Sequence, residues 1–209
     1  ISASNPYSFY NVWTTSYQCI RRANTVFARI DEAKDLTAQD RAELLSLNRF
    51  IRAYAYYKLW LADGPVILVG DEEIPSNLDL GDYDRARATN EETVEYICSE
   101  LEEAAKYLPE TYPLMEFGRP TKGAAYGLIA RIRTYYASPL WNGGEAARRC
   151  FGNWYRKTDR VKYVTTDEYD EERWAIAAAA CKRVMNMKKS GAPMYSLFTV
   201  QEDTQTPPL

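Results

Sequence analysis

Two segments carry residue types that could hold a ligand. Pro139-Leu140-Trp141-Asn142-Gly143-Gly144 and Gly152-Asn153-Trp154-Tyr155 set aromatic rings beside amide side chains. A pyranose stacks its apolar face on Trp or Tyr, while Asn bonds its hydroxyls. Trp141, Asn142, Trp154 and Tyr155 are therefore the candidate ligand-binding residues. The competing reading is that these aromatics pin a long loop onto the rest of the protein, the usual fate of a large ring.

Bond-breaking chemistry finds less support. Histidine is absent from all 209 residues, so Ser-His-Asp and Cys-His arrangements and His-based zinc sites are excluded. Acid/base work would fall to Asp, Glu, Lys, Tyr or Cys. None of the common phosphate-loop, nucleophile-elbow or zinc-protease motifs occurs. The 29 Asp and Glu residues offer many carboxylate pairs, but spacing singles out none as a glycosidase pair. The acidic run Asn77-Leu78-Asp79-Leu80-Gly81-Asp82-Tyr83-Asp84 has the wrong spacing for a calcium loop and reads as a solvated linker. The four cysteines, Cys19, Cys98, Cys150 and Cys181, contain no C-x-x-C pair. No catalytic residue, metal ligand or cofactor is assigned.

Composition is that of an ordinary globular domain, with 46% hydrophobic and 26% charged residues and a net charge of −3. No basic stripe marks a nucleic-acid partner. Residue 1 is Ile, and the chain closes on Thr206-Pro207-Pro208-Leu209 without a terminating element. The expectation is a fragment of a longer protein.

The elements that must position the candidate residues are helices. Trp13, Tyr17, Ile20, Asn24, Phe27 and Ile30 step by four and three, which predicts a helix over about residues 8–33. A second runs from Thr37 to a stop at Gly64-Pro65, with Leu44, Leu47, Ile51, Tyr54 and Leu61 as its inner stripe and Phe50, Tyr57 and Trp60 widening it. Thr89 and Glu92 form a capping box for a third helix facing inward through Val94, Ile97, Leu101, Ala104 or Ala105, and Leu108. Thr121 lies near the cap of a fourth, whose face is Ala124, Ala125, Leu128, Ile132 and Tyr135. Residues 139–169 are irregular, with a possible hairpin pairing Trp154 and Tyr155 with residues 161–164. A fifth helix spans about residues 170–189, burying Trp174, Ala177 or Ala178, Cys181, Val184 or Met185, and Met187 or Lys188, with Lys188 and Lys189 at its negative end. The fold class is predominantly all-α. One domain, residues 1–209, forms antiparallel helix pairs at about 8–61 and 89–137, then the loop 139–169. The fifth helix, about 170–189, pairs with nothing in this chain. Long helices, small residues and aromatic knobs suit a tetratricopeptide-like solenoid of degenerate repeats, with at most a small β-hairpin.

Three segments, in order, resemble one family. Asn48-Arg49-Phe50-Ile51-Arg52-Ala53-Tyr54-Ala55-Tyr56-Tyr57-Lys58-Leu59, running on to Gly64-Pro65-Val66, is similar to "E-x-R-F-L-R-A-x-x-Y-x-x-L … G-x-V-P". Gly118-Arg119-Pro120-Thr121-Lys122-Gly123-Ala124-Ala125, then Leu128, Ala130-Arg131 and Tyr135, is similar to "G-R-x-T-K-x-A-A … L-x-A-R-x-x-L-Y". Ser138-Pro139-Leu140-Trp141-Asn142-Gly143 precedes Tyr169-Asp170-Glu171-Glu172-Arg173-Trp174, and Arg22-Ala23-Asn24 matches "R-A-N". Together, over about residues 10–198, they resemble the SusD/RagB family of outer-membrane nutrient-binding lipoproteins. Ile67 departs from the usual proline, and Leu47-Asn48 from an acidic approach to the Arg-Phe pair.

The resemblance implies a non-catalytic, lipid-anchored cell-surface protein that binds a polysaccharide, oligosaccharide or peptide. It also implies a partner, a SusC-like TonB-dependent outer-membrane transporter, and ligand contacts made largely outside residues 1–209. Two other readings compete: a tetratricopeptide-type adaptor that binds only proteins, and a helical glycosidase fragment.

Overall fold

A computed structural model describes residues 12–75 and 77–197. Six helices carry it: α1 (Trp13–Arg29), α2 (Ala38–Asp63), α3 (Asn90–Ala105), α4 (Lys122–Ala137), α5 (Gly144–Phe151) and α6 (Glu172–Met185). A two-residue strand pair, β1 (Lys188–Lys189) and β2 (Ala192–Pro193), is the only sheet among the described residues. The fold is thus mostly helical and tetratricopeptide-like, as the spacing predicts. In the described part no helix is long and apolar enough to cross a membrane.

Local chemistry sets most helix ends. Thr37 Oγ1 accepts from the Asp40 amide at 3.1 Å, and Thr121 caps α4 through the Ala124 amide at 3.2 Å. Thr89 and Glu92 form the full reciprocal capping box. Gly64 ends α2 at φ 70°, a conformation that favours glycine. The first helix is shorter than expected: its last turn tightens to a 3-10 turn at Ile30–Glu32, and residues 8–11 lie outside the described residues.

Helices pack in sequence order, α1 on α2, α2 on α3, α3 on α4 and α4 on α6. The core is continuous across them and includes Ile20, Tyr56, Leu59, Trp60, Val94, Ile97, Leu101, Ala125 and Ile132. Every inward residue expected on α3 is buried.

On α2 the expected stripe lies on the wrong side. Leu44, Ile51, Tyr54 and Leu61 are 42%, 43%, 46% and 47% exposed, whereas Arg52, Ala53, Tyr56, Leu59 and Trp60 are wholly buried. Periodicity assigns charged residues to water, and the stripe that buries most of α2 contains Arg52. Tyr57 and Trp60 are buried as expected, and Leu47 and Phe50 are partly so. On α4, Ala125 and Ile132 are buried but Ala124 is exposed.

The stretch 139–169 is not wholly irregular. Eight residues form α5, an Ala- and Arg-rich run obscured by Gly143 and Gly144 at its start and Gly152 after it. Gly143 sits at φ 59°, and a Cβ there would fall 1.9 Å from the Glu168 carbonyl oxygen. The expected hairpin is present as a single antiparallel bridge, Tyr155 with Lys162, flanked by Arg156 N–H to Val161 O and Tyr163 N–H to Trp154 O at 2.8 and 3.1 Å.

The fifth predicted helix, α6, ends earlier than expected. Lys188 and Lys189 leave it and pair with β2 across a turn in which Ser190 and Gly191 have φ 52° and 85°. Its partner is within the chain, namely α4. Only Ala177 is fully buried; Trp174 and Met185 are 40% and 74% exposed, and Cys181 is exposed too. One side of α6 therefore meets α4, Arg183 reaches Glu102 on α3 at 2.5 Å, and much of the rest of the helix is exposed.

All four cysteines are free thiols. Burial pushes the Cys98 thiol up to about 12, while Cys150 and Cys181 lie at the surface. The thiolate is the reactive form. A thiol-reactive probe at pH 8 is therefore expected to label Cys150 and Cys181 quickly, and Cys98 only after unfolding. Mass mapping of rapidly labelled Cys98 would contradict this packing.

Candidate functional site

The four candidate ligand residues do not form one open site. Trp141 is 6% exposed, stacked on Phe151 with ring centroids 4.9 Å apart and planes 7° apart, and lies 6.0 Å from Trp60. Asn142 is wholly buried. Its amide nitrogen donates to Ala137 O and Asp170 O at 3.2 and 2.8 Å, and its oxygen accepts from the Asp170 amide at 2.9 Å. Arg173 donates to Trp141 O at 2.9 Å. Trp141 and Asn142 thus clamp the start of α6 to the end of α4 and offer no face to a ligand. Trp154 is half-buried between Phe151 and Tyr163 and covers Gly64. Tyr155 is half-buried, with the Arg160 guanidinium 4.8 Å from its ring centroid. These two keep part of their surface, but in separate settings. The aromatics form a wall that joins the loop to α2 and α4.

Two turns earlier on α2 lies a polar centre that the helical spacing does not reveal. The Arg52 side chain is 1% exposed. Its Nε and Nη2 donate to Glu100 at 3.0 and 2.5 Å. Its Nη1 donates to Asn24 Oδ1 at 2.7 Å and Gly70 O at 3.1 Å, and pairs with Asp71 at 2.6 Å. Arg49 reaches the other Glu100 oxygen at 2.6 Å. The Phe27 ring lies 4.5 Å from the Arg52 guanidinium and 5.2 Å from that of Arg49, in cation–π geometry. Burial opposes the Arg52 charge, but Glu100, Tyr96 and Asp71 together outweigh it and the guanidinium stays ionised.

The centre holds the segment after α2 in place. Asn24 donates to Gly70 O and Glu72 O at 3.0 and 2.7 Å. The Tyr56 hydroxyl accepts from the Val69 amide, and the Tyr17 hydroxyl bonds both the amide and the carbonyl of Ile67, each at 3.0 Å. Burial pushes the Tyr56 hydroxyl up to about 12 and that of Tyr17 higher still. Side chains of α1 and α2 thereby take the place of a neighbouring strand for residues 66–72. With its donors and acceptors engaged, this arrangement positions backbone; it holds no nucleophile–base pair. Among the described residues, no three of His, Cys, Asp or Glu cluster to hold a metal. The available signal for the centre was the pair Arg49 and Arg52 on a helix otherwise apolar on that side.

The chain is similar to known proteins. Residues 2–134 match the SusD-like family described as "Starch-binding associating with outer membrane". A SusD-like protein from Bacteroides ovatus is 30% identical over 135 residues, 63% of this chain and 23% of that protein. The solved structure of BT4246 is 28% identical with a TM-score of 0.73, covering 83% of this chain and 29% of that one. Surface glycan-binding protein A from Bacteroides uniformis is 27% identical with a TM-score of 0.52, covering 59% and 27%. The chain spans under a third of each of these relatives. Asn24 and Arg52, which fall within the motif segments, lie in the polar centre, and Gly64 lies at the α2 stop. The chain belongs to the SusD-like family.

Proposed function

We propose that this chain is the helical scaffold of a cell-surface protein that captures glycan without cleaving it and passes it to a SusC-like TonB-dependent transporter. The family match over residues 2–134 carries this reading. A relative named for surface glycan binding favours glycan over peptide as the ligand. The buried centre agrees with a scaffold role: its ionised groups are spent on backbone and on one another, and none is presented as a general acid or base. Capture then rests on stacking and hydrogen bonds, each partly offset by lost water contacts.

The test is to purify the intact protein from membranes and identify what accompanies it. The expected companion is a large TonB-dependent barrel. Recovery with soluble proteins alone would instead support an adaptor role.

A further inference from the structure

The connection between α3 and α4 displays large apolar side chains that the described residues leave uncovered. The 3-10 turn at Leu114–Glu116 buries none of its residues, and Leu114, Met115 and Phe117 are 87%, 95% and 89% exposed. The turn is nonetheless braced. Phe117 N–H bonds Leu114 O at 3.2 Å, Arg119 pairs with Glu116 at 3.2 Å, and Lys122 N–H bonds Pro109 O at 2.9 Å. Tyr112 ties it to α2 through Glu43 at 3.2 Å. An ordered turn that holds apolar rings in water marks a contact surface.

Across from this turn, the strand pair delivers Tyr195. Its hydroxyl occupies the space that a side chain at Gly123 would fill: a Cβ there would lie 1.9 Å away. The ring is 46% exposed. Between turn and strand pair is a cleft of about 350 Å³, walled by Tyr112, Phe117, Arg119, Thr121, Lys189 and Tyr195 among others. That volume is within the range of small-ligand sites.

We propose that this cleft is a glycan subsite that takes a short stretch of neutral oligosaccharide against Phe117 and Tyr195. The assignment rests on the glycan-binding reading above and deepens it by placing a ligand surface within this chain. Free ring faces meet the C–H face of a pyranose, and Arg119, Lys189 and Thr121 around them suit its hydroxyls. Charge argues for a neutral ligand. The wall's cations are matched by Glu110 in the wall and by Glu116 on Arg119. The cleft is open at the surface, which suits a chain passing through.

The experiment titrates the intact protein and its Phe117→Ala, Phe117→Tyr and Tyr195→Ala variants with maltoheptaose, laminarihexaose and a xyloglucan oligosaccharide. For whichever glycan binds, Phe117→Ala is expected to weaken Kd roughly tenfold, the scale of one lost stacking contact. Phe117→Tyr should restore it, with thermal unfolding unchanged for both Phe117 variants. Unaltered affinity in Phe117→Ala and Tyr195→Ala would overturn the subsite while leaving glycan binding intact. No binding by the parent protein would overturn both. Loss of the co-purifying barrel in Phe117→Ala, with glycan affinity unchanged, would make this surface a protein-docking site instead and so also overturn the proposal.

Discussion

Arg52→Ala is expected to destabilise the fold by about 3–5 kcal/mol, the cost of removing one partner from a buried ion pair. The substitution strands Glu100, whose side chain is 8% exposed, with Arg49 as its remaining cation. It also removes the donor to Asn24 Oδ1 and to Gly70 O. Arg49 is too exposed, at 28%, to compensate for a neighbour that supplies two donors to the same carboxylate. The Asp71 contact adds little, because that carboxylate is 71% exposed. Denaturant melts of the intact protein measure the loss. Arg52→Met should fail as well, since the carboxylate stays buried. Adding Glu100→Gln to Arg52→Met should return part of the stability. A loss below about 1 kcal/mol in Arg52→Ala would mean that the centre is solvated rather than dry.

Trp141→Ala is expected to cost about 3–5 kcal/mol, the range for deleting a large ring from a packed core. The ring joins Trp60, Tyr135 and Phe151 and covers Gly64. Its removal should loosen α5 and the turn at residues 155–162 before it loosens α1–α3, because that wall is what fixes them. Hydrogen exchange would locate the change. At a temperature where the variant remains folded, glycan affinity should match that of the parent. A variant of unchanged stability that lost glycan affinity would return Trp141 to the ligand site.

How far the sequence reveals this protein depends on the reach of each interaction. Thr89, Thr121 and Gly64 act within one helical turn, and their roles follow from neighbours three or four residues away. The α3 face is legible because Val94, Ile97, Leu101 and Ala104 keep helical spacing, although Glu100, buried among them, is charged. Arg52 is hidden because its counter-charge, Glu100, comes from another helix, and a charged residue by default points to water. That default centres the expected α2 stripe on Leu44, Ile51, Tyr54 and Leu61, which are exposed, while Tyr57 and Trp60 at its edge are buried. Trp141 and Asn142 carry the side-chain types of a sugar site, and nothing local distinguishes such a site from a clamp; the distant Asp170 and Phe151 decide it. The cleft that Phe117 and Tyr195 line is hidden in the sequence for the opposite reason. Each is isolated in sequence, and only the strand pair after α6 brings them to one cleft.

Calorimetric titration of the intact protein with starch, laminarin and xyloglucan oligosaccharides, followed by sizing of the recovered glycan, tests the central claim most directly. Saturable binding of at least one of them, with the glycan recovered at its original length, is the predicted result. No binding to any, or a shortened product that disappears when a single carboxylate is replaced, would contradict it.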